Sequence, residues 1–260
     1  MELTYANYLK LEKLLCLQEP KSSPYEHDEM LFIIMHQNSE LWLKLVLYEV
    51  DKVKADFSSG NLHGAIATLQ RIKAIMRLLV SQLDIIETMT PLSFAKFRNC
   101  LGAASGFQSY QFRQLEFSLG YKRAETLNCH KHEPAVYETL LKELKQYSLV
   151  DHFYNFLEYY SIAIPDKLRS KEISSSSEPN KTLQQEIFQL YHQHPELVLL
   201  FELMIDFDKE LQQWRYRHIK VAERIIGNKG GTGGSLGVKF LKGSLFKAVF
   251  PDLWAIRDEF

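Results

Sequence analysis

Three features of the chain predict an all-α protein. Apolar residues recur at helical spacing over long stretches, helix start signals precede several of them, and no run alternates apolar and polar residues as a half-buried strand does. The 260 residues are 46% hydrophobic and 24% charged, the balance of an ordinary globular chain. A chain of this length buries roughly 70–75% of its unfolded surface, enough for a core without disulfides or a structural metal. One domain spanning residues 1–260 is expected.

The elements follow in order. Residues 29–57 hold no Gly or Pro, and Leu31, Ile34, Asn38, Leu41, Leu45 and Tyr48 recur near the helical period. The segment Met30–Met35 is apolar all round and is expected to be buried on every side. Asp28 and Glu29 stand where a helix start favours acids. After Ser58-Ser-Gly-Asn61, a second long helix is expected over 61–89. Thr90-Pro91 reads as cap and first helical residue, opening a helix with Phe94, Arg98 and Leu101 on one face. Gly102 and Gly106 interrupt the chain, and 107–119 is again helical in pattern. Residues 165–180, with Ser174-Ser-Ser-Ser177 and Pro179, read as a mobile surface loop. Pro195 starts a helix running to about Ile226. Half of the chain's 12 glycines then fall within 227–237. A last helical stretch is expected over 238–249, ending before Pro251.

Charge and composition exclude several classes. Lys and Arg number 31 against 32 Asp and Glu, so neither nucleic acid nor an anionic membrane is an expected partner. The start of the chain has no basic and apolar signal segment, and Met30–Met35 is too short to span a bilayer. Cys16, Cys100 and Cys129 are never in CxxC spacing, which fits a reducing compartment and a cytoplasmic protein and argues against a zinc ribbon.

Four features could carry chemistry. His36 lies inside the apolar helix, with Phe32 a turn before and Glu40 a turn after. Such a histidine is more often an inert, hydrogen-bonded core residue than a polar group in a ligand pocket. Arg98, between Phe94 and Leu101, either snorkels to solvent or faces an anion, and its planar fork suits a small carboxylate. His218 lies on the stripe Trp214, His218, Val221, Ile225, flanked by Arg215, Arg217, Lys220 and Arg224. That is the layout of a proximal haem ligand, with arginines for the propionates, although many buried helices contain one histidine. No CxxCH occurs, so any haem is not attached as c-type. The glycine-rich stretch is neither a P-loop nor a dinucleotide fingerprint. It is a flexible connector or a flap whose backbone and Thr232 close over a ligand. His130, His132, His192 and His194 stand in i,i+2 pairs among polar residues and read as surface residues.

Longer motifs carry a resemblance. Leu3-Thr-Tyr-x-x-Tyr-Leu9, His27-Asp-Glu-Met-Leu-Phe-Ile-Ile-x-His-Gln-x-Ser-Glu-Leu-Trp-Leu-Lys44, Phe97-Arg-x-x-Leu-Gly102, Ser105-Gly-Phe-Gln-Ser-x-Gln-Phe-Arg113, Trp214-Arg-x-x-His218 and Ile226-Gly-x-Lys-x-Gly-Thr-Gly-Gly-Ser-x-Gly237 occur in order. In these the chain resembles the tryptophan 2,3-dioxygenase family over nearly its whole length, most weakly over 125–200. The resemblance implies haem b, one per subunit, with O2 as co-substrate and L-tryptophan or a close indole amino acid as substrate. It implies His218 as the iron ligand and His36 as the distal histidine that meets the indole N–H. Phe32 lies beside the indole, and Arg98 and Thr232 hold the amino acid end with Phe94 and Leu101 around them. Ser105 and Gly106 form the turn over the haem. Tyr5 and Tyr8 belong to an N-terminal segment, 1–20, that reaches a neighbouring subunit, which implies an intertwined homotetramer. Met35, Asn38, Gly230 and Leu236 depart from the family's usual residues. Two further readings stay open at this point: a relative that inserts one oxygen atom into tryptophan or a substituted tryptophan, and a non-catalytic haem sensor. A haem-free helical interaction protein is a third.

Overall fold

The computed structural model describes residues 3–227 and 241–260, and every regular element among them is helical. Short helices α1 (Tyr5–Leu9) and α2 (Leu11–Leu14) bury no residue. Three long helices follow from the expected patterns: α3 (His27–Ser58), α4 (Leu62–Ser81) and, late in the chain, α12 (Pro195–Ile225). Between them lie α5 (Leu83–Ile86), α6 (Pro91–Phe97), α7 (Tyr110–Leu119), α8 (Pro134–Leu144), α9 (Leu149–Leu157), α10 (Asp166–Arg169) and α11 (Lys181–Gln193). The last helix is α13 (Pro251–Ala255).

Local chemistry sets most of the starts. Thr90 Oγ1 accepts the Ser93 N–H at 3.0 Å, with Pro91 as first helical residue. Asn61, Ser109 and Asn180 cap α4, α7 and α11 in the same way, and Ser148 forms a capping box with Asp151. Gly120, at φ +105°, ends α7 in the left-handed conformation that favours glycine.

Helix α4 packs against both α3 and α12, and α3 also meets α7 and α9. Val46, Val50, Val53 and Phe57 of α3 join Ile72 and Met76 of α4, Phe156 of α9, and Phe201 and Phe207 of α12 in one buried core. A second, smaller cluster sits at the other end of the long helices. It joins Met35 of α3 to Val221 and Ile225 of α12, with Leu83, Ile86, Met89, Phe94 and Phe97 between. Residues after 241 return along α12. Lys242 pairs with Glu223 at 2.8 Å, and Arg215 donates to the carbonyls of Ser244 and Lys247 at 3.2 and 2.8 Å. Buried Asp208 then accepts from Val249 N, Phe250 N and Trp254 Nε1 at 2.8, 3.2 and 3.0 Å.

Several local expectations need correction. The 61–89 helix divides at Gln82, whose buried side chain turns toward α3. The helix expected to carry Arg98 ends at Phe97, and Arg98–Leu101 tighten into a 3-10 turn before Gly102, at φ +54°. Met30–Met35 is not buried on every side: only Met35 is buried and Ile34 is 48% exposed, because that end of α3 runs beyond the main core. Residues 243–250 are turns and bends, and Pro251 opens a helix instead of following one. His130 is not a surface residue but 0% exposed, under the cluster of Phe117, Leu127, Leu140 and Leu144. The Ser-rich stretch contains α10 and is tied down at several points. Lys122 Nζ donates to the Ile173 carbonyl at 2.8 Å, the Lys122 N–H to Ser176 Oγ at 3.0 Å, and Lys171 pairs with Asp151 at 2.9 Å.

Candidate active site

The second cluster surrounds two histidines brought from opposite ends of the sequence. His36 is on the first half of α3 and His218 on the last third of α12. His36 Nδ1 lies 2.7 Å from the Phe32 carbonyl oxygen. A carbonyl only accepts, so Nδ1 carries the proton and Nε2 keeps a free lone pair. Burial pushes the His36 pKa below the ordinary histidine value, against the opposing pull of that carbonyl and of Glu40. Yet the ring keeps an exposed face.

His218 is pushed down to about 4, chiefly by burial and then by the charge His36 carries when protonated. The two rings therefore lie within electrostatic reach of one another, and both are neutral at pH 7. The His218 ring stacks on Trp214, with centroids 5.0 Å apart and planes 5° from parallel. Phe112 of α7 packs on the other side of Trp214, at 4.7 Å. His218 has no hydrogen-bond partner among the described residues, so a neutral imidazole stands with an unused lone pair.

Aromatic residues make the wall beside His36. Phe32 lies 4.1 Å from the His36 ring, 5.8 Å from Phe94 and 5.7 Å from Phe97. Leu101 packs against the same cluster, and Arg98 is half-buried one residue after Phe97. Ser105 caps the 3-10 turn Gly106–Gln108, with Gln108 Oε1 accepting the Ser105 N–H at 3.1 Å. A Cβ at Gly106 would meet nothing within 4 Å, so no contact inside the chain requires glycine there.

Two glutamines grip α3 just after His36. Gln82 Oε1 accepts from Asn38 Nδ2 at 2.9 Å, and Gln82 Nε2 donates to Ser39 Oγ at 2.8 Å. From α7, Gln111 Nε2 donates to the Glu40 carbonyl at 2.9 Å and to Glu40 Oε2 at 2.8 Å.

The structure thus brings together His36, Phe32, Phe94, Leu101 and His218, with Arg98 beside them. Tyr5 and Tyr8 stand apart on α1, 76% and 70% exposed. Thr232 lies outside the described residues. The basic residues around His218 mostly do something other than expected. Arg217 pairs with Asp84 and Glu87, Lys220 with Glu223, and Arg215 is buried on the returning chain, leaving Arg224 exposed. Phe97, Gln82, Gln111 and Phe112 were not read from the sequence as site residues. Phe97, three residues after Phe94, and Gln111 and Phe112, within the motif Ser105–Arg113, carry a usable signal, and Gln82 carries none.

Comparison with known proteins gives a consistent answer. The family model described as tryptophan 2,3-dioxygenase matches residues 1–200 and 180–259. The chain is 44% identical over 257 residues to a tryptophan 2,3-dioxygenase of Herpetosiphon aurantiacus, covering 99% of this chain and 98% of that one. It is 39% identical to the enzyme of the same name from Geobacillus thermodenitrificans, covering 99% and 92%. To the one from Rhodococcus jostii it is 40% identical, with the same coverage. The chain belongs to the tryptophan 2,3-dioxygenase family.

Proposed function

We propose that this protein is a haem-dependent oxidoreductase that opens the indole ring of L-tryptophan with O2, giving N-formylkynurenine with both oxygen atoms incorporated. The observation that carries this reading is one aromatic cluster, with Phe32 against His36, Trp214 stacked on His218, and Phe94, Phe97 and Leu101 packed with them. Those residues fit a haem. A neutral imidazole is the form that ligates iron, and Gly106 leaves bare the space a flat macrocycle would need. Bound there, haem b supplies the binding and activation of O2 that side chains alone cannot provide.

The chain's own residues do the rest. His218 would hold the iron, and the flat stack on Trp214 limits rotation of its ring. His36 Nε2 accepts the indole N–H, because the Phe32 carbonyl fixes the proton on Nδ1. Phe32, Phe94 and Leu101 surround the indole and exclude water. Arg98 holds the substrate carboxylate and Thr232 the amino acid backbone, which sets the C2–C3 bond in place. Ser105 and Gly106 would contribute to holding the haem.

The same reading makes residues 1–260 a single haem dioxygenase-like domain in a cytoplasmic homotetramer. Residues 1–20 of one chain reach a neighbour's site. Support comes from α1 and α2, which bury nothing within their own chain, and from exposed Tyr5 and Tyr8. No helix among the described residues is long and apolar enough to cross a membrane. Mono-oxygenation and a non-catalytic sensor are not favoured, since the matched relatives share the dioxygenase name.

The test is product analysis. Reduced, haem-loaded protein is given L-tryptophan and air. A product heavier by two oxygen atoms is expected. A gain of one atom, or tryptophan binding without product, would overturn the reading.

A further inference from the structure

The motif Ser105–Arg113 is longer than the turn at Ser105 and Gly106 requires. Its last residues, Gln111, Phe112 and Arg113, begin α7. Gln111 and Phe112 are consecutive, so their side chains leave the helix about 100° apart. One reaches α3 and the other reaches α12. Gln111 Nε2 divides its two hydrogens between the carbonyl and the carboxylate of Glu40. Glu40 is one turn beyond His36 on the same face of α3. A bond to the carbonyl holds the helix backbone itself, which a rotatable side chain alone would not. Phe112 lies against Trp214, and Trp214 is stacked on His218.

We infer that Gln111 is a positioning residue for His36, and that through Phe112 the same turn of α7 sets the separation of the two histidines. This rests on the functional reading above. A packing helix at this place would need only apolar residues. An amide whose two donors both find Glu40, beside a ring that buttresses the opposite wall, is a spacer between the two sides. Gln82 holds residues 38 and 39 from the other flank, so the α3 turn after His36 is fixed on two sides. A one-sided release would let His36 Nε2 drift from the line of the indole N–H without touching the iron ligand.

The experiment uses haem-loaded protein and optical titration with two ligands, L-tryptophan and 1-methyltryptophan, which lacks the indole N–H. Wild type is expected to prefer tryptophan. Gln111→Leu removes the donors at similar volume and should cut that preference by up to about tenfold, the worth of the neutral indole N–H bond that His36 then misses, with haem content unchanged. Gln111→Glu faces Glu40 with a like charge and should do the same or more. An unchanged preference in Gln111→Leu, or an equal weakening of both ligands, would overturn the inference. A wild type that takes up no haem, or does not distinguish the two ligands, would instead count against the functional reading.

Discussion

The two ends of the long helices are built from the same kinds of residue and behave differently. At one end, Val46, Val50, Val53 and Phe57 of α3 interlock with α4, α9 and the middle of α12, and these side chains are fully buried. At the other end the same helices carry Phe32, His36, Trp214 and His218, and none of these is fully buried. The packed end is held chiefly by apolar contact, with ion pairs Arg71–Glu49 and Lys73–Asp206 bridging the helices at its edge. The open end is held by hydrogen bonds from Gln82 and Gln111 and by stacked rings. A helix can therefore anchor a site with one half and line it with the other.

That contrast can be broken or sharpened. The largest effect belongs to His218→Ala, which should abolish haem binding while the packed end stays folded. A retained Soret band with unchanged ligation would remove His218 from its role. Next, Phe207→Ala in the packed end should cost about 3–5 kcal/mol of stability. Phe32→Ala at the open end should cost clearly less and instead raise the tryptophan KM. Chemical denaturation and kinetics on both variants would show whether the two ends differ in this way, and equal losses of stability would refute it. Arg98→Ala should raise KM roughly ten- to hundredfold through loss of a bidentate, charge-assisted pair, with little change in melting temperature. Unchanged saturation kinetics would reject the anchoring role.

The smallest effect concerns a histidine with no hollow beside it. His130 is enclosed, and neither ring nitrogen has a partner. Burial pushes its pKa below the ordinary 6.5, with Arg113 and His132 acting in the same direction and Glu133 against. As pH falls below about 6.5 the unfolded chain takes up a proton that the folded chain refuses. Stability from this group is thus full above that pH and is lost as pH falls. His130→Phe should melt higher than wild type by an amount that grows from pH 7 to pH 5. A constant difference across that range would show that His130 does not titrate in this way.

Much of the helix map is legible from the chain because the signals are local. Thr90-Pro91, the absence of breakers from 29 to 57 and the stripe from Trp214 to Ile225 act within one or two helical turns. The boundary at Gln82 was missed because the residue is a good helix former, and its side chain serves α3 rather than its own helix. The site was read less from spacing than from the long motifs. Local pattern sets His36 and His218 on apolar helix faces and His130 among polar residues, yet nothing nearby in sequence says that the first two will meet or that the third is enclosed.

The sequence by itself determined the all-α class, most helix starts, the apolar stripes and, through its motifs, the family. Only the tertiary structure decided that His36 and His218 come within electrostatic reach of one another while His130 is fully enclosed. It also decided that Arg215 holds the returning chain and that Gln111 reaches Glu40. The physical reason is range. Helix periodicity and capping act over three or four residues. Burial and the partner of a polar group depend on how whole helices pack, which is set by the summed contacts of residues far apart in the chain.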